Sequence, residues 1–539
     1  MSHFPQRLSA LGSPLKLVCF VAFLGAVVRS AWVSDDAFIT LDAVNNLVTG
    51  YGFVHNPPER VQGFTHPLWA LLLIPVHAII REPYFSALAL GLVVTAAAAW
   101  LLAYRLARKA ALGIAALLLL TVSDAFVDFS TSGLENPLSC LLLGLFALAL
   151  RSEAPPKRWT LRLFLLGSLL AVTRLDNLAL VAPALGYALL RHRSWRNLGW
   201  AAVGLLPLVA WELFALFYYG FLLPNSYYAK LNTGLPWWRY LGQGVSYFID
   251  SFSRDPITLL TILSCVGIAL SLREEPSDDR ARDRAAVRRT FAAGLLLHLI
   301  YVAWIGGDFM AGRFFNATFY GALVLLVTEI GPRLRTESLM VLGGVAVVAV
   351  LGMPAPTMQV PSRQCILHPS GIVNERVCYQ DFTGLVYNLK IPHYRDHDYY
   401  QQGAKPRAEG ARTFQTGGAG LAGYAAGPAT HLIDMQGVTD PFLARIRYVA
   451  PRNWRVGHYI RYPSPDYVRT VETGTNLIEN PCLHEYYDKL SLLTRGPLFS
   501  LKRLATIVRM NLGAYEHLLA PDCSPAAPGP SAAPVVSGR

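Results

Sequence analysis

Charge is scarce in this sequence. Asp, Glu, Lys and Arg make up 15% of its 539 residues, where about 25% is usual for a soluble domain. With 53% hydrophobic residues and a mean hydropathy of +0.35, an ordinary soluble protein of this size is excluded. Cysteine and histidine are also few, at 7 and 13. Neither a CxxC pair nor an HExxH motif occurs, so no metal-binding motif can be read from them. What is present is a basic imbalance, 47 Lys and Arg against 35 Asp and Glu. The excess lies in short clusters between apolar runs, where it reads as membrane topology and not as a nucleic-acid surface.

A spanning helix needs about 20 apolar residues. Eleven runs are assigned as spans: 15–33, 84–104, 110–123, 137–150, 160–173, 177–190, 198–219, 256–272, 290–305, 314–330 and 338–353. No small-residue cleavage site follows the first, so it is expected to be an uncleaved span and not a signal peptide. The run PLWALLLIPVHAII, 67–80, reaches only ~21 Å across a core of ~30 Å and is placed in the interface as a re-entrant or surface helix. With it there, RLARK (105–109), RSEAPPKR (151–158), RHRSWR (191–196), the cluster 273–289 and GPRLR (331–335) share one side with Arg7 and Lys16. The positive-inside rule makes that side the cytoplasm.

The fold class that follows is a polytopic α-helical membrane protein with its N-terminus inside. Residues 1–353 form the transmembrane part, with a first outer loop at 34–66. Residues 354–520 are expected to form an extracytoplasmic mixed α/β domain with a strand at THLIDM (430–435), and the Pro-rich run 521–539 a disordered tail. Cys19, Cys140 and Cys265 fall in spans and read as small hydrophobes. The outer Cys365, Cys378, Cys482 and Cys523 allow three pairings, of which Cys365 with Cys378 is preferred.

The face opposite the basic clusters collects SDDAF (34–38), SGLENP (132–137), TRLDN (173–177), FLLPNSYYAK (221–230) and GGDFMAGRF (306–314). Ionisable groups gathered at a membrane boundary read as functional. Asp35 and Asp36 open a helix that stops at Gly50. One of them suits its first turn as a cap or dipole partner; the other, desolvated at the boundary, suits a general base toward an acceptor hydroxyl. Glu135 and Asp176 stand at span ends. Lys230, Arg313, Arg60 and Arg174 are cations of the kind that hold a phosphate, although Arg174 alone reads better as interfacial snorkelling or as a partner of Asp176.

A base, a phosphate clamp and access to lipid are what glycosyl transfer from a lipid-linked phosphosugar needs. The leaving phosphate requires charge stabilisation and not protonation. A transporter or lipid flippase also fits eleven spans, but transporters gather polar groups near the midplane and not at one face. A mere membrane anchor for the tail would leave the loop acids without purpose. Two motifs are read as decoys. GAGLAG (418–423) matches GxGxxG, yet it lies beyond the membrane, and plain backbone turns are preferred over nucleotide binding. Asn316-Ala317-Thr318 fits a glycosylation acceptor but starts a span.

As a set and in this order, DDAFITLDAVNNLVTGYGFVHNPPERVQGFTHPLW, STSGLENPL, RLDN, YYGFLLPNSYYAKL and WIGGDFMAGRF resemble the GT-C glycosyltransferases that use polyprenyl-phosphate sugars. More closely they resemble the mycobacterial terminal arabinofuranosyltransferase family, which takes arabinofuranose from decaprenyl-phosphoryl-arabinose. The resemblance covers roughly residues 15–355 and returns in HLIDMQGVTDP; the outer segment is shorter than in the mycobacterial members. It implies a GT-C-like fold with Asp35 and Asp36 as the catalytic acidic pair, Asp36 being the base. It further implies Glu135, Asp176 and Asp308 as supporting acids and Lys230 and Arg313 beside the donor phosphate, with Arg60 and Arg174 as further cations. His66, Asn225, Tyr227 and Tyr228 are the sugar or acceptor contacts, and Trp237 and Trp238 either stack on sugars or belong to an aromatic belt.

The implied activity moves arabinofuranose from a polyprenyl-phosphate donor to a hydroxyl of a cell-envelope glycan at the outer face of the bacterial inner membrane. Another polyprenyl-phosphate sugar transferase, acting on lipid A, a surface polysaccharide or a protein, is the alternative. Membrane lipid, the lipid-linked donor and the glycan acceptor are the implied partners, with no nucleic acid. No cofactor is required beyond the donor substrate, and the residues leave open whether a divalent cation assists the acids.

Overall fold

The structure is a computed structural model that describes residues 4–152, 156–231, 233–272, 279–333, 369–451, 454–520 and 523. The expected span 338–353, the tail after 523 and Cys365 lie outside the described residues. Cys378 is disulfide-bonded, while Cys19, Cys140, Cys265 and Cys482 are free thiols.

The chain opens with helix α1 (Phe4–Arg29), followed by α2 (Asp35–Val48), α3 (Pro67–Ile80) and α4 (Pro83–Trp100), which runs on through a π turn at Leu101–Leu106. Then come α5 (Ala110–Val122), the single turn α6 (Asp124–Val127), α7 (Asn136–Leu150), α8 (Pro156–Thr173), α9 (Asn177–Arg191), α10 (Trp195–Gly204) and α11 (Leu206–Tyr218). The short α12 (Asn225–Leu231), α13 (Trp237–Arg254), α14 (Pro256–Ser271), α15 (Asp279–Trp304) and α16 (Phe315–Leu325) complete the apolar part. Helices therefore stand at every described position where an apolar run is expected to span.

By length and composition two of them suffice to cross a membrane singly, Pro83–Leu106 and Asp279–Trp304. Two bent pairs pass together, α10 with α11 at 51° and α13 with α14 at 110°. The run 198–219, expected as one span, is thus broken. Pro207 in the first turn of α11 supplies no N–H to continue α10, and Gly204 lies against the backbone of Leu165, where a Cβ would come within 2.9 Å of its nitrogen. Val93 on α4, Leu190 on α9, Leu213 on α11, Leu263 on α14 and Ile300 on α15 all point outward and are more than half exposed, which suits a surface meeting hydrocarbon. Helix α3 buries Trp69, Ala70, Leu73 and His77 on one side and exposes Leu71, Ile79 and Ile80 on the other.

The segment after residue 369 shares the core of the helical part. Ile372, Tyr394, Leu421 and Val456 belong to the same buried cluster as Phe38, Trp69 and Tyr320. Its only sheet among the described residues is a parallel pair, β1 (Thr413–Thr416) with β2 (His431–Asp434) in register Thr413 to His431. The helix Ala419–Ala426 crosses between them. The expected strand THLIDM is realised in β2, but the rest of the segment is helical or irregular.

Candidate active site

Ser34 starts the site. Its hydroxyl accepts from the Ala37 N–H and caps α2, so neither aspartate caps its own helix, contrary to the reading above. A serine one residue upstream meets the geometry better than a side chain already inside the first turn. Ser34 also donates its N–H to the carbonyl of Ser132, at 2.9 Å. This ties α2 to the SGLENP loop, where Gly133 sits at φ +81° and a Cβ would lie 2.6 Å from that of Ala37. Only glycine lets the loop approach so closely. The next turn therefore brings Glu135 beneath the start of α2.

Asp35 caps a different helix. Its Oδ1 accepts the backbone N–H of Leu421 at 2.8 Å, in the first turn of Ala419–Ala426. The GAGLAG stretch thus has the setting of a phosphate-binding turn, following a strand and opening a helix. The anion at its N-terminus is the protein's own Asp35 and not a pyrophosphate. A Cβ at Gly420 would collide with the Asp35 carbonyl. The motif is neither a nucleotide site nor a plain turn; it is a docking surface for α2. Burial, and behind it the Asp36 charge, pushes the Asp35 carboxyl up to about 7.

That value carries a stability prediction. With the folded value above the unfolded one, the native state binds the extra proton, so this group's contribution falls as pH rises from about 4 to about 7. Asp35→Asn keeps the acceptor oxygen and removes the charge. Its melting temperature in detergent should gain on the wild type between pH 5 and pH 8, and parallel curves would show that Asp35 does not titrate in this window.

Asp36 is different: no hydrogen bond to it occurs among the described residues. Burial raises its proton affinity, opposed first by Lys230 and then by Arg313, with Asp308 and His66 also acting on it. Its side chain is half-buried. Glu375, from the later segment and absent from the sequence reading, is held far above the usual carboxylate range by burial and then by Asp36 and Asp35.

Glu135 is not at a rim. Its side chain is wholly buried and is shared by His66 Nδ1 at 2.8 Å, Arg174 at 2.9 Å and Arg313 at 3.4 Å. Burial alone would raise its carboxyl, but those three partners hold it well below the usual range. Arg174 in turn grips Asp176 with two bonds, at 2.8 and 2.7 Å, and Arg313 meets Asp308 at 3.5 Å. Two arginines are thus laced between three carboxylates. Arg174 does not snorkel; it is a part-buried bridge on the cavity wall, its charge answered by Glu135 and Asp176.

Lys230 makes no ion pair among the described residues. It lines a cavity of about 270 Å³ together with Arg313, Asp308, Asp176, Arg174 and Tyr227. Asp36 is not on the wall of this cavity but stands beside it, within electrostatic reach of Lys230 and Arg313. The helix that carries Lys230 is positioned from afar. Asn225 at its start donates to the carbonyls of Gly437, Val438 and Asp440 and accepts from Arg445 at 2.8 Å.

Four further expectations are corrected by this arrangement. Asn225 spends its amide on the QGVTDP turn and is not a sugar contact. His66 is consumed at both nitrogens, by Glu135 and by the Thr40 hydroxyl at 2.8 Å. Tyr228 packs under the Arg445 guanidinium, 4.2 Å from its ring centre, in a second core. Arg60 donates to the carbonyls of Leu493 and Gly496 at the end of the helix Pro481–Arg495, away from the cavity. In each case a partner distant in the chain claims the side chain, a backbone carbonyl for Asn225 and Arg60 and another side chain for His66 and Tyr228, which local spacing does not reveal. Trp237 and Trp238 are exposed, the former stacked on Trp304 at 6.0 Å. Beyond Glu375, the sequence reading also missed Tyr240, Gly457 and Tyr459 on the cavity wall. Among the described residues no group of three His, Cys, Asp or Glu is placed to hold a metal ion.

No family model matches the chain. It is 29% identical over 417 residues to the terminal beta-(1->2)-arabinofuranosyltransferase of Mycobacterium tuberculosis, covering 68% of this chain and 65% of that protein. The chain is similar to terminal arabinofuranosyltransferases. A protein of the same name from Corynebacterium glutamicum is 27% identical over 396 residues, 65% of this chain and 56% of its own length. The chain thus spans less than two thirds of either relative. The resemblance drawn from the motifs is borne out. A solved structure, ArnT from Cupriavidus metallidurans bound to undecaprenyl phosphate, aligns with a TM-score of 0.46 and 12% identity over 78% of this chain and 85% of its own. At that score the likeness carries no argument.

Proposed function

We propose that the protein is a membrane glycosyltransferase of GT-C type that moves arabinofuranose from a polyprenyl-phosphate donor to a hydroxyl of an envelope glycan. The transfer takes place at the outer face of the inner membrane, with the N-terminus of the chain in the cytoplasm. The observation that carries this reading is the Asp36 carboxylate, free of hydrogen bonds among the described residues, set within electrostatic reach of Lys230 and of Arg313, which Glu135 and Asp308 anchor. The name shared by the two relatives supports the sugar and suggests a β-(1→2) product linkage.

In the proposed step the acceptor oxygen gives its proton to Asp36 and bonds to the anomeric carbon. The bond from that carbon to the phosphate oxygen breaks, and the electron pair leaves with the polyprenyl phosphate. Lys230 and Arg313 stabilise that charge, so no general acid is needed. Arg313 keeps its orientation because Glu135 and Asp308 hold two of its nitrogens.

The test is a panel of polyprenyl-phosphate pentoses and hexoses given to the purified protein in lipid nanodiscs with a synthetic arabinofuranoside acceptor. Transfer is expected from the arabinofuranose donor, in a β-(1→2) linkage. Preference for a hexose donor overturns the sugar assignment, and no transfer from any donor overturns the reaction class. In the same assay Lys230→Gln should lower kcat by about 10²–10³-fold, the usual cost of one lost donor to a developing negative charge.

A further inference from the structure

A second cavity lies at the other end of the bundle. Helix α7 begins next to Glu135 in the candidate active site and ends at Arg151 on this second cavity, a run of ~22 Å at 1.5 Å per residue. The cavity measures about 1230 Å³ against about 270 Å³ for the first. Seven arginines line it, beside Ser152, His192, Asp283, Thr328 and Glu329. Arg105 comes from the π turn after α4, Arg108 from the turn before α5, Arg162 from α8, and Arg280 and Arg284 from α15.

The acids that line it are already engaged. Asp283 is held by Arg191 and by the Tyr187 hydroxyl at 2.8 Å, and Glu329 is held by Arg151 and Arg333. The five arginines first named have no ion-pair partner among the described residues. Positive charge is crowded enough that burial, and then Arg108 and Arg333, press the Arg151 guanidinium down to about 10. A topology signal needs only positive charge on one side of the membrane. It does not need guanidinium groups from separate elements to converge on one hollow.

Part of the lining is apolar. Leu145 and Leu148 from α7 and Leu166 from α8 line it, and Leu148 is 38% exposed. A soluble phosphate has no use for that wall, whereas an acyl chain does. Basic pockets between apolar helices are a recurrent setting for multiply charged lipid headgroups, and arginine pairs with phosphate through two parallel N–H donors.

We propose that this basin binds a ligand bearing two phosphate groups, supplied by the headgroup of an anionic membrane lipid, with Arg105, Arg108, Arg162, Arg280 and Arg284 as its cationic wall. The proposal does not rest on the sugar-transfer reading, because none of these residues touches the first cavity.

The test measures cardiolipin affinity of the full chain, by native mass spectrometry in detergent and by transfer from phosphatidylcholine vesicles containing cardiolipin. Arg162→Gln/Arg280→Gln/Arg284→Gln should weaken it by about 10²-fold, at about 1 kcal/mol for each lost charge near an anionic headgroup. The corresponding Lys variants should retain most of it, and Arg447→Gln, a distant exposed arginine, should leave it unchanged. Inorganic pyrophosphate is the second probe. Failure to displace cardiolipin assigns the site to lipid, and displacement at matching concentration assigns the same bisphosphate chemistry to a soluble ligand. Unchanged cardiolipin affinity in the triple Gln variant, or equal loss in Arg447→Gln, overturns the proposal.

Discussion

Asp36→Asn is expected to lower sugar transfer by about 10²–10⁴-fold, the range lost when a positioned general base is removed, while donor binding stays near that of the wild type. Asparagine keeps the shape and the acceptor oxygen but cannot take the hydroxyl proton. The phosphate clamp of Lys230 and Arg313 is untouched, so the loss should appear in kcat and not in KM. In the wild type the rate should rise with pH as Asp36 gives up its proton. Burial shifts that limb upward, and Lys230 and Arg313 oppose the shift. Asp36→Asn should flatten the limb. Near-normal turnover of the variant would remove Asp36 from the mechanism and with it the proposed division of labour. Asp35→Asn provides the contrast: it lies one residue away but is committed to the Leu421 N–H, so its effect should fall on stability first.

Glu135→Gln should have the second largest effect, and its main cost should be structural. Glu135 is the shared counter-ion of Arg174 and Arg313 and the partner of His66, with none of its surface exposed. Breaking a buried ion pair by removing one partner typically costs about 3–5 kcal/mol, because the remaining charges stay buried without compensation. Arg174 keeps Asp176 and Arg313 keeps Asp308, so the low end of that range is expected. A double variant, Glu135→Gln/Arg174→Gln, should be less destabilised than the sum of the single variants, since the stranded charge goes with its partner. Thermal unfolding in detergent measures all three. Strict additivity would mean that the pair does not interact as its 2.9 Å separation requires. Activity should also fall in Glu135→Gln, through Arg313 losing its orientation, and part of it should survive if the protein is assayed below its melting temperature.

Some of this site is local in origin and legible in the chain. Two aspartates before an apolar run mark a helix start, and α2 begins at Asp35, one residue before the stretch expected from Asp36, with Ser34 as its cap. Lys230 and Arg313 line one cavity, as expected of cations in short polar loops between apolar runs, which have few places to go other than a shared boundary. The roles of Glu135, Asn225, His66 and Arg60 were not legible. Glu135 meets arginines 39 and 178 residues away, and Asn225 meets carbonyls more than 200 residues downstream. Propensity and spacing describe a residue's own turn, and they do not say which distant carbonyl will take its protons. QGVTDP reads from sequence as a turn after a strand, and its task of fixing the helix that bears Lys230 emerges only with the fold.

Composition and the order of apolar runs by themselves determined a mostly helical chain, with helices long and apolar enough to cross a membrane and with acids and cations at the turns, because lipid admits little else. Packing alone decided which of two adjacent aspartates is spent and which is free. Asp35 is neutralised by a helix N-terminus whose Leu421 lies 386 residues further on, while the neighbouring side chain on the same turn points to Lys230 and Arg313. Two chemically identical groups separated by one residue differ only in their surroundings, and surroundings are a property of the folded chain.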